Sequence, residues 1–593
     1  MNFRLPPPWG LLLDRDDPLA FRFEGRLVRG LAGDTIASAL AASGDWLLSR
    51  SPRLRRARGP MTFAGHEAAS RVRLNGLPDV PADLCPAADG MRIDAQLPGG
   101  RLRGARGTWR RRFERWLTAD LVRYALHRGR PGWPFWEARL RRRVAAGRLD
   151  GIASAWQPEL VDTETEIAVV GAGPAGLAAA LAAARCGFTV RLFEQLPQAG
   201  GSLNWGRFGV DPDTGFELRD ALRHQVEATP RLEIQPGARV IDLPAPDMLL
   251  VQHAGGVERV HARATVLTTG GIAQPAVFRS NDYPGTATAD GLQRLMRLWG
   301  VRPGKRAAVV TANDAGYGAA LDLDEAGVAV LAVIDLRRDP PDGPCLLEAE
   351  RRGLPLRPGM AVVEGGGNRE LTRLAGIRLG RVTDAGGWEE SSQIVPCDVL
   401  GMAVGEAPFL QLAAPHLSAQ PDDGTREGSV SPVAGLPPGL FAAGGLNDCD
   451  DLEKTLRDGD RAGQAAARHC GADPVPPAEA FPVLPDVSAA PHEFPIYPHP
   501  RGREFIDFDT DLTLPDVNAA RARGVEDEAA LAQYFDLDQG AGGGRLSRSN
   551  LARYLAATGV GSPRPDFRAT ALRGAGATLG ALAAGARRTG KKA

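Results

Sequence analysis

The sequence predicts an α/β fold organised around one Rossmann-type dinucleotide-binding βαβ unit, and two observations carry that reading. Glu166–Val170 is an apolar run that reads as a buried strand, and it turns through Gly171-Ala172-Gly173-Pro174-Ala175-Gly176 into the helix-forming stretch Leu177–Ala184. The next strand, Thr189–Phe193, ends on Glu194, about 20 residues after the turn, where this fold places the acid that binds ribose hydroxyls.

Each residue of the turn has a physical task. Gly171 allows the tight bend, Gly173 lets the backbone approach a pyrophosphate, and Gly176 lets helix and strand pack closely, while the helix N-terminus faces the phosphates. Glu rather than Arg at position 194 argues against a 2′-phosphate there. A glycine-rich turn without ligand is the bland alternative, and the strand–turn–helix–strand context outweighs it. The residues assigned to the cofactor are therefore Gly171, Ala172, Gly173, Pro174, Ala175, Gly176, Glu194 and Gln195. To them are added Gly200, Gly201 and Ser202 after the acid, Thr269 and Gly270 at the end of the strand-like Ala264–Leu267, and Gly444 and Gly445 after Gly439–Ala443. NAD and FAD both use this turn and acid, so the motif leaves the choice between them open.

Length and composition bound the rest. A chain of 593 residues exceeds the roughly 250–300 at which one core stops growing, so at least two domains are expected. Lys+Arg and Asp+Glu both number 71, which leaves no global pull towards nucleic acid or an anionic membrane. No apolar stretch reaches the roughly 18 residues of a membrane span, and the N-terminus lacks a signal-peptide pattern. Cys85, Cys186, Cys345, Cys397, Cys449 and Cys470 are dispersed without CxxC spacing, which fits a reduced, cytoplasmic setting and excludes disulfide reductase chemistry.

Along the chain, residues 15–105 open with a hairpin at Ala20–Arg29 and a helix after Asp34, which can cap it, in the manner of a ferredoxin-like β-grasp domain. Residues 106–160 form a basic aromatic linker (Trp109, Trp116, Trp133, Trp136 among many Arg), in which arginine stems covering apolar surface are favoured over a nucleic-acid surface. Residues 161–473 form the FAD/NAD(P)-binding α/β domain, with a degenerate second Rossmann unit at 300–345. There the turn reads Thr311-Ala312-Asn313-Asp314-Ala315-Gly316-Tyr317, so only the third glycine survives and Asp314 would repel a pyrophosphate. A small helical module at 480–570 and a tail at 571–593 follow.

These residues carry a resemblance. Phe21–Gly25 through Gly33–Leu40, Arg56-Ala57-Arg58-Gly59-Pro60, Val72–Gly76, Phe193-Glu194-Gln195 with Gly200–Leu203, the Asn313-Asp314-Ala315 turn with Ala319–Leu323, and Phe505–Thr513 together resemble the α subunit of the heterotetrameric sarcosine oxidase family, and its relatives among opine and amino-acid dehydrogenase α subunits. The resemblance implies a two-dinucleotide-binding flavoprotein fold and an oxidoreductase acting on CH–NH donors. It also implies a flavin-carrying β subunit, with FMN or FAD of its own, on which a secondary or N-substituted amino acid is oxidised. The chain is expected to be a short form without the family's folate-binding, aminomethyltransferase-like domain.

Departures from the family set further expectations. Residues 15–105 hold only Cys85, and Asp507 and Asp509 occupy the places of a CxC pair in cluster-bearing relatives, so no iron–sulfur cluster and no metal are expected. Asp507 and Asp509 read as surface carboxylates at a strand end. No catalytic residue is assigned: His66 is weighed and read as structural. Two other functions stay open, a stand-alone FAD-dependent oxidoreductase and a non-catalytic dinucleotide-bound scaffold.

Overall fold

The computed structural model describes residues 3–96, 102, 160–253, 256–383, 387–417, 433, 435–449, 451–473, 496–537 and 542–560. The basic aromatic segment 106–159, the proline-rich stretch from 474 and the tail 571–593 lie outside these residues. The chain divides into two compact units. One holds Met1–Ile152, Ala273–Gly405 and Ala489–Pro565, and the other Ala153–Ile272, Glu406–Ser488 and Asp566–Ala593.

The second unit is built on a seven-stranded sheet. Leu232–Pro236, Val190–Glu194, Leu160–Val170 and Gly256–Leu267 run parallel side by side, Met248–His253 and Arg239–Ala245 extend the sheet antiparallel, and Leu440–Ala442 adds in parallel to Gly256–Leu267. Ile167, Ala168, Val169 and Val170 are all buried, as a central parallel strand covered on both faces requires. The helix Pro174–Arg185 follows this strand and is buried from Pro174 through Ala184.

A second helix, Leu452–His469, packs on it with almost no space between the backbones. A Cβ on Gly459 would collide with the carbonyl of Ala175, and one on Gly463 with the carbonyl of Ala179. Glycines one turn apart on one helix thus face alanines one turn apart on the other, the spacing that lets two helices meet along their i, i+4 ridges. Asp451 caps the second helix by accepting from the Lys454 N–H at 2.7 Å.

The first unit contains three substructures. Its N-terminal sheet has the order Arg26–Ala32, Asp14–Phe23, Arg92–Ala95, Arg71–Leu74, Leu77–Pro81, with the helix Ile36–Ala42 packed beside the hairpin. This is the ferredoxin-like arrangement expected. The cap differs: Thr35, not Asp34, closes a capping box with Ser38, because Thr35 has the extended backbone of an N-cap. Asp34 is spent inside, accepting from Leu31 N at 2.9 Å and Ser38 Oγ at 2.6 Å and pairing with Arg4.

A five-stranded parallel sheet follows in the order Thr286–Thr288, Val399–Ala403, Arg306–Thr311, Ala329–Asp335, Leu356–Pro358. The C-terminal module consists of the helices Leu514–Arg521, Glu528–Phe535 and Arg548–Ala557 after the short pair Phe505–Asp507 and Leu512–Thr513. Arg56 and Arg58, noted in the sequence as one run, join the three substructures. Arg56 binds both oxygens of Asp282, at 2.5 and 2.6 Å, and Arg58 pairs with Asp282 and with Asp511, the latter at 2.5 Å. Both guanidinium groups lie over the ring of Phe505. These charges are buried, so losing one partner strands the other without solvent. No helix among the described residues is long and apolar enough to cross a membrane.

The helix contact yields a prediction. Gly463→Ala should lower unfolding stability by about 1–3 kcal/mol, the usual cost of an extra methyl in a packed interface, whereas Gly366→Ala, whose Cβ would meet only the Gly376 carbonyl oxygen at 3.5 Å, should cost less. Chemical denaturation of the two variants compares them.

Candidate functional site

The glycine turn shows which of its glycines the protein itself demands. Gly171 has φ +101, and a Cβ on it would lie 2.5 Å from the Thr268 carbonyl oxygen. A Cβ on Gly176 would collide with the Gly171 carbonyl and lie 2.7 Å from Thr268 Oγ1. That hydroxyl sits 2.9 and 2.8 Å from the carbonyls of Val170 and Gly171, tying the neighbouring strand to the turn. Gly173 is different. It caps the helix with extended backbone, and a Cβ there would meet only Gly201 Cα, at 3.8 Å. Pro174 takes the first helical position, where its missing N–H costs nothing. The side of the turn at Gly173 is thus open in the protein, with the helix N-terminus and its partial positive charge behind it.

The acid and the distal glycines close around this opening. Glu194 is buried, and its two oxygens accept from Ala172 N at 2.9 Å and Leu196 N at 2.8 Å. These two backbone bonds orient the carboxylate at the turn. Gln195 lies exposed beside it. Gly200, with φ +130, donates its N–H to the Ala172 carbonyl at 2.7 Å, and Gly201, with φ +52, begins the short turn Gly201–Asn204 that contains Ser202. Thr269 Oγ1 donates to the Phe409 carbonyl at 3.0 Å, and Gly270 has φ +79. Gly444 fits against Ala175, where a Cβ would lie 2.8 Å from the alanine methyl, and Gly445 against Gly270 and Gly271. Asp458, on the helix Leu452–His469, accepts from Gly444 N at 2.9 Å and Asn447 Nδ2 at 2.8 Å, holding that turn to its helix.

Asn204 and Arg219 escaped the sequence reading. Asn204 Nδ2 donates to the Ala199 carbonyl at 3.2 Å, and Arg219 Nη1 lies 3.2 Å from Asn204 Oδ1, so the pair backs the Gly200–Gly201 bend. The available signal was Arg219 on the same helical face as Leu222 and Val226, where an arginine has no reason to be without a partner.

Away from the turn, His66, Asp507, Asp509, Gly542, Arg545 and Ser547 line a cavity of about 10 Å³, the size of one water. The Asp pair is not on the surface as the sequence suggested. Asp507 accepts from Thr510 N at 2.7 Å and Ser547 Oγ at 2.5 Å, and Asp509 from Ala68 N at 3.2 Å and Gly542 N at 2.7 Å. Burial, with Asp507 alongside, pushes the Asp509 carboxyl up to about 7. Nearby, burial and Asp83 raise Glu67 to about 7 as well, while Glu67 holds the Met61 and Thr62 amides.

Comparison with known proteins places this geometry. Residues 166–234 match a family of FAD dependent oxidoreductases, and residues 16–98 a 2Fe-2S iron-sulfur cluster binding domain. The chain is 28% identical over 581 residues to the alpha subunit of sarcosine oxidase from Rhizobium meliloti, covering 94% of this chain and 56% of that one. It is 27% identical over 599 residues to the corresponding chain from Corynebacterium sp., covering 93% and 55%. The chain thus spans about half the length of the curated relatives it matches. An opine oxidase subunit from Agrobacterium tumefaciens is 28% identical over 188 residues, 30% of this chain and 37% of that one. The crystal structure of L-proline dehydrogenase from P. horikoshii shares the fold, with a TM-score of 0.58 at 18% identity over 93% of this chain and 94% of that one. The resemblance to sarcosine oxidase α subunits and the ferredoxin-like plus Rossmann-like fold are both borne out.

One expectation is corrected. The absence of an iron–sulfur cluster was argued from missing thiols, but the family matched over residues 16–98 is a cluster-binding one, and the match overturns that argument. The residues fit such a cluster poorly. Cys85 is the only cysteine in that span, where a plant-type cluster takes four thiolates, and burial raises its thiol pKa.

Two predictions follow from this geometry. Gly173→Ala should fold like the parent yet lose bound dinucleotide, whereas Gly176→Ala should lose stability by about 1–3 kcal/mol through its backbone clash; thermal melts with cofactor quantification separate the two. For Asp509, the folded pKa lies above the unfolded 3.8, so the folded state retains a proton that the unfolded chain has released, and stability falls as pH rises from about 4 to about 7. Asp509→Asn mimics the protonated acid, so its stability relative to the parent should rise across that window and level off above it. A flat difference in denaturation free energy between pH 4 and 8 would refute the buried acid.

Proposed function

We propose that this chain is the dinucleotide-holding α chain of a cytoplasmic amine-oxidising flavoprotein complex, with FAD at the Gly171–Gly176 turn. The observation that carries the cofactor reading is Gly173. It is the glycine in the turn that the protein's own packing does not require, and a glycine there is explained by a ligand that needs the backbone bare. The match to FAD dependent oxidoreductases over the same residues favours FAD over NAD.

In this reading the Gly173 amide and the helix N-terminus hold the pyrophosphate, and Glu194, oriented by the Ala172 and Leu196 amides, faces the ribose hydroxyls. Gly200, Gly201, Ser202, Thr269, Gly270, Gly444 and Gly445 wall the cofactor with backbone, and Asp458 and Arg219 keep two of those walls in place. When bound, the flavin supplies the capacity to accept or pass on reducing equivalents. Amine binding and dehydrogenation are assigned to a partner β subunit with its own flavin, working on a secondary or N-substituted amino acid, in keeping with the names of the matched proteins, which are subunits of sarcosine and opine oxidases.

The test combines colour and partnership. The purified chain should show the visible absorption of oxidised flavin, which NAD lacks, and Gly173→Ala should be colourless. The chain alone should turn over sarcosine or proline negligibly, and co-expression with a flavoprotein β subunit should restore turnover. Robust turnover by the isolated chain would point to a stand-alone FAD oxidoreductase. Full turnover of a complex built with the colourless variant would reduce the chain to a scaffold.

A further inference from the structure

The first unit contains a second strand–helix–strand, Arg306–Thr311, Ala315–Glu325 and Ala329–Asp335, with the same parallel connection as the glycine turn. Each feature that would take a nucleotide there is engaged by the chain itself. Asp335 ends its strand as Glu194 does, but it is fully buried. It receives Arg337 Nε at 3.1 Å, Arg337 Nη2 at 2.8 Å, the Arg337 amide at 2.8 Å and the Tyr317 hydroxyl at 2.8 Å. Burial, together with the Asp335 carboxylate, raises the Tyr317 hydroxyl above its ordinary pKa, so it stays a donor.

The helix N-terminus is taken as well. Asp314 stands at its N-cap and pairs with the same guanidinium, Arg337 Nη2, at 3.2 Å, while Asn313 Oδ1 takes the Ala315 amide at 3.2 Å. Thr311 fills the space of the first glycine. A Cβ on Gly316 would collide with its side chain, and its hydroxyl donates to the Asn313 carbonyl. From the far side Gly343 presses on Asp314 so closely that a Cβ would collide with the carboxylate. The Asp314 carboxylate makes no cap bond to the helix amides; it places a negative charge beside the N-terminus, where a phosphate's charge would stand, and pairs it with the buried Arg337.

We infer that the second βαβ unit is a nucleotide site sealed from within, the charge of Asp314 standing where a ligand phosphate's would and Arg337 supplying its counter-charge, so that this unit takes no nicotinamide cofactor. The inference does not depend on which dinucleotide the first turn holds.

The test titrates NADH, followed by its fluorescence, and ADP, followed calorimetrically, into the purified full chain with its resident cofactor bound and into the Gly173→Ala variant. Neither protein should bind either probe up to millimolar concentration. Melting temperatures of Asp314→Asn, Arg337→Gln and the double variant read the seal directly. Each single change should lower the midpoint by several degrees, and the double should fall little further, because the two groups neutralise one another. Saturable NADH or ADP binding that Asp335→Asn weakens tenfold or more would overturn the inference, as would additive losses in the double variant. Binding that Asp335→Asn leaves unchanged lies elsewhere and, with non-additive melts, supports the seal. Should Arg337→Gln fail to fold, Arg337→Lys keeps the charge without the fork and replaces it in the cycle. Retention of cofactor by Gly173→Ala would count against the first-site reading alone, since the titration of the parent still reports on the second unit.

Discussion

The dinucleotide unit depends on the near-contact between the helices Pro174–Arg185 and Leu452–His469. Gly459 and Gly463 lie directly on the Ala175 and Ala179 carbonyls, and nothing larger than hydrogen fits. This contact fixes the start of the first helix and so the direction of its N-terminal amides. It also fixes the position of Asp458, one residue before Gly459, and through it the Gly444 turn that meets Ala175. A site made of backbone needs such rigidity, because backbone groups cannot adjust rotamers to recover a lost geometry.

The two βαβ units show how one topology reaches opposite outcomes. At the first, the polar groups brace the turn from behind and leave its open side bare at Gly173. At the second, Asp314, Arg337, Asp335 and Tyr317 bind one another in the interior. Strand, turn and helix survive in both because they rest on apolar burial, which is indifferent to the chemistry of a few turn residues. Binding rests on those few residues, and they can change without disturbing the fold.

In the other unit, buried charge plays the organising part. Arg56 and Arg58 reach Asp282 and Asp511 across segments far apart in sequence, and Asp509 reaches Ala68. Paired charges of this kind are costly to break, because removing one partner leaves the other charged and buried. Residues 16–98 match a cluster-binding family, and that span supplies a single thiol, Cys85.

The sequence by itself determined the strands and the glycine turn, the acid at position 194, the degeneracy of the second turn and the family resemblance. All of these are local: a periodicity, a spacing or a residue type whose meaning lies within about 30 residues. It misplaced the N-cap at Asp34 and put Asp507 and Asp509 on the surface, because a carboxylate's burial depends on segments that meet it only after folding. Tertiary structure alone decided that Gly173 is the glycine of the turn that the chain's own packing does not require, that Asn204, Arg219 and Asp458 hold the neighbouring turns, and that Asp314 is paired with Arg337 rather than left to repel. Each of these is a pairing between residues 14 to 23 positions apart or a test of empty space. Spacing in a sequence records neither until the backbone brings the partners within hydrogen-bonding distance.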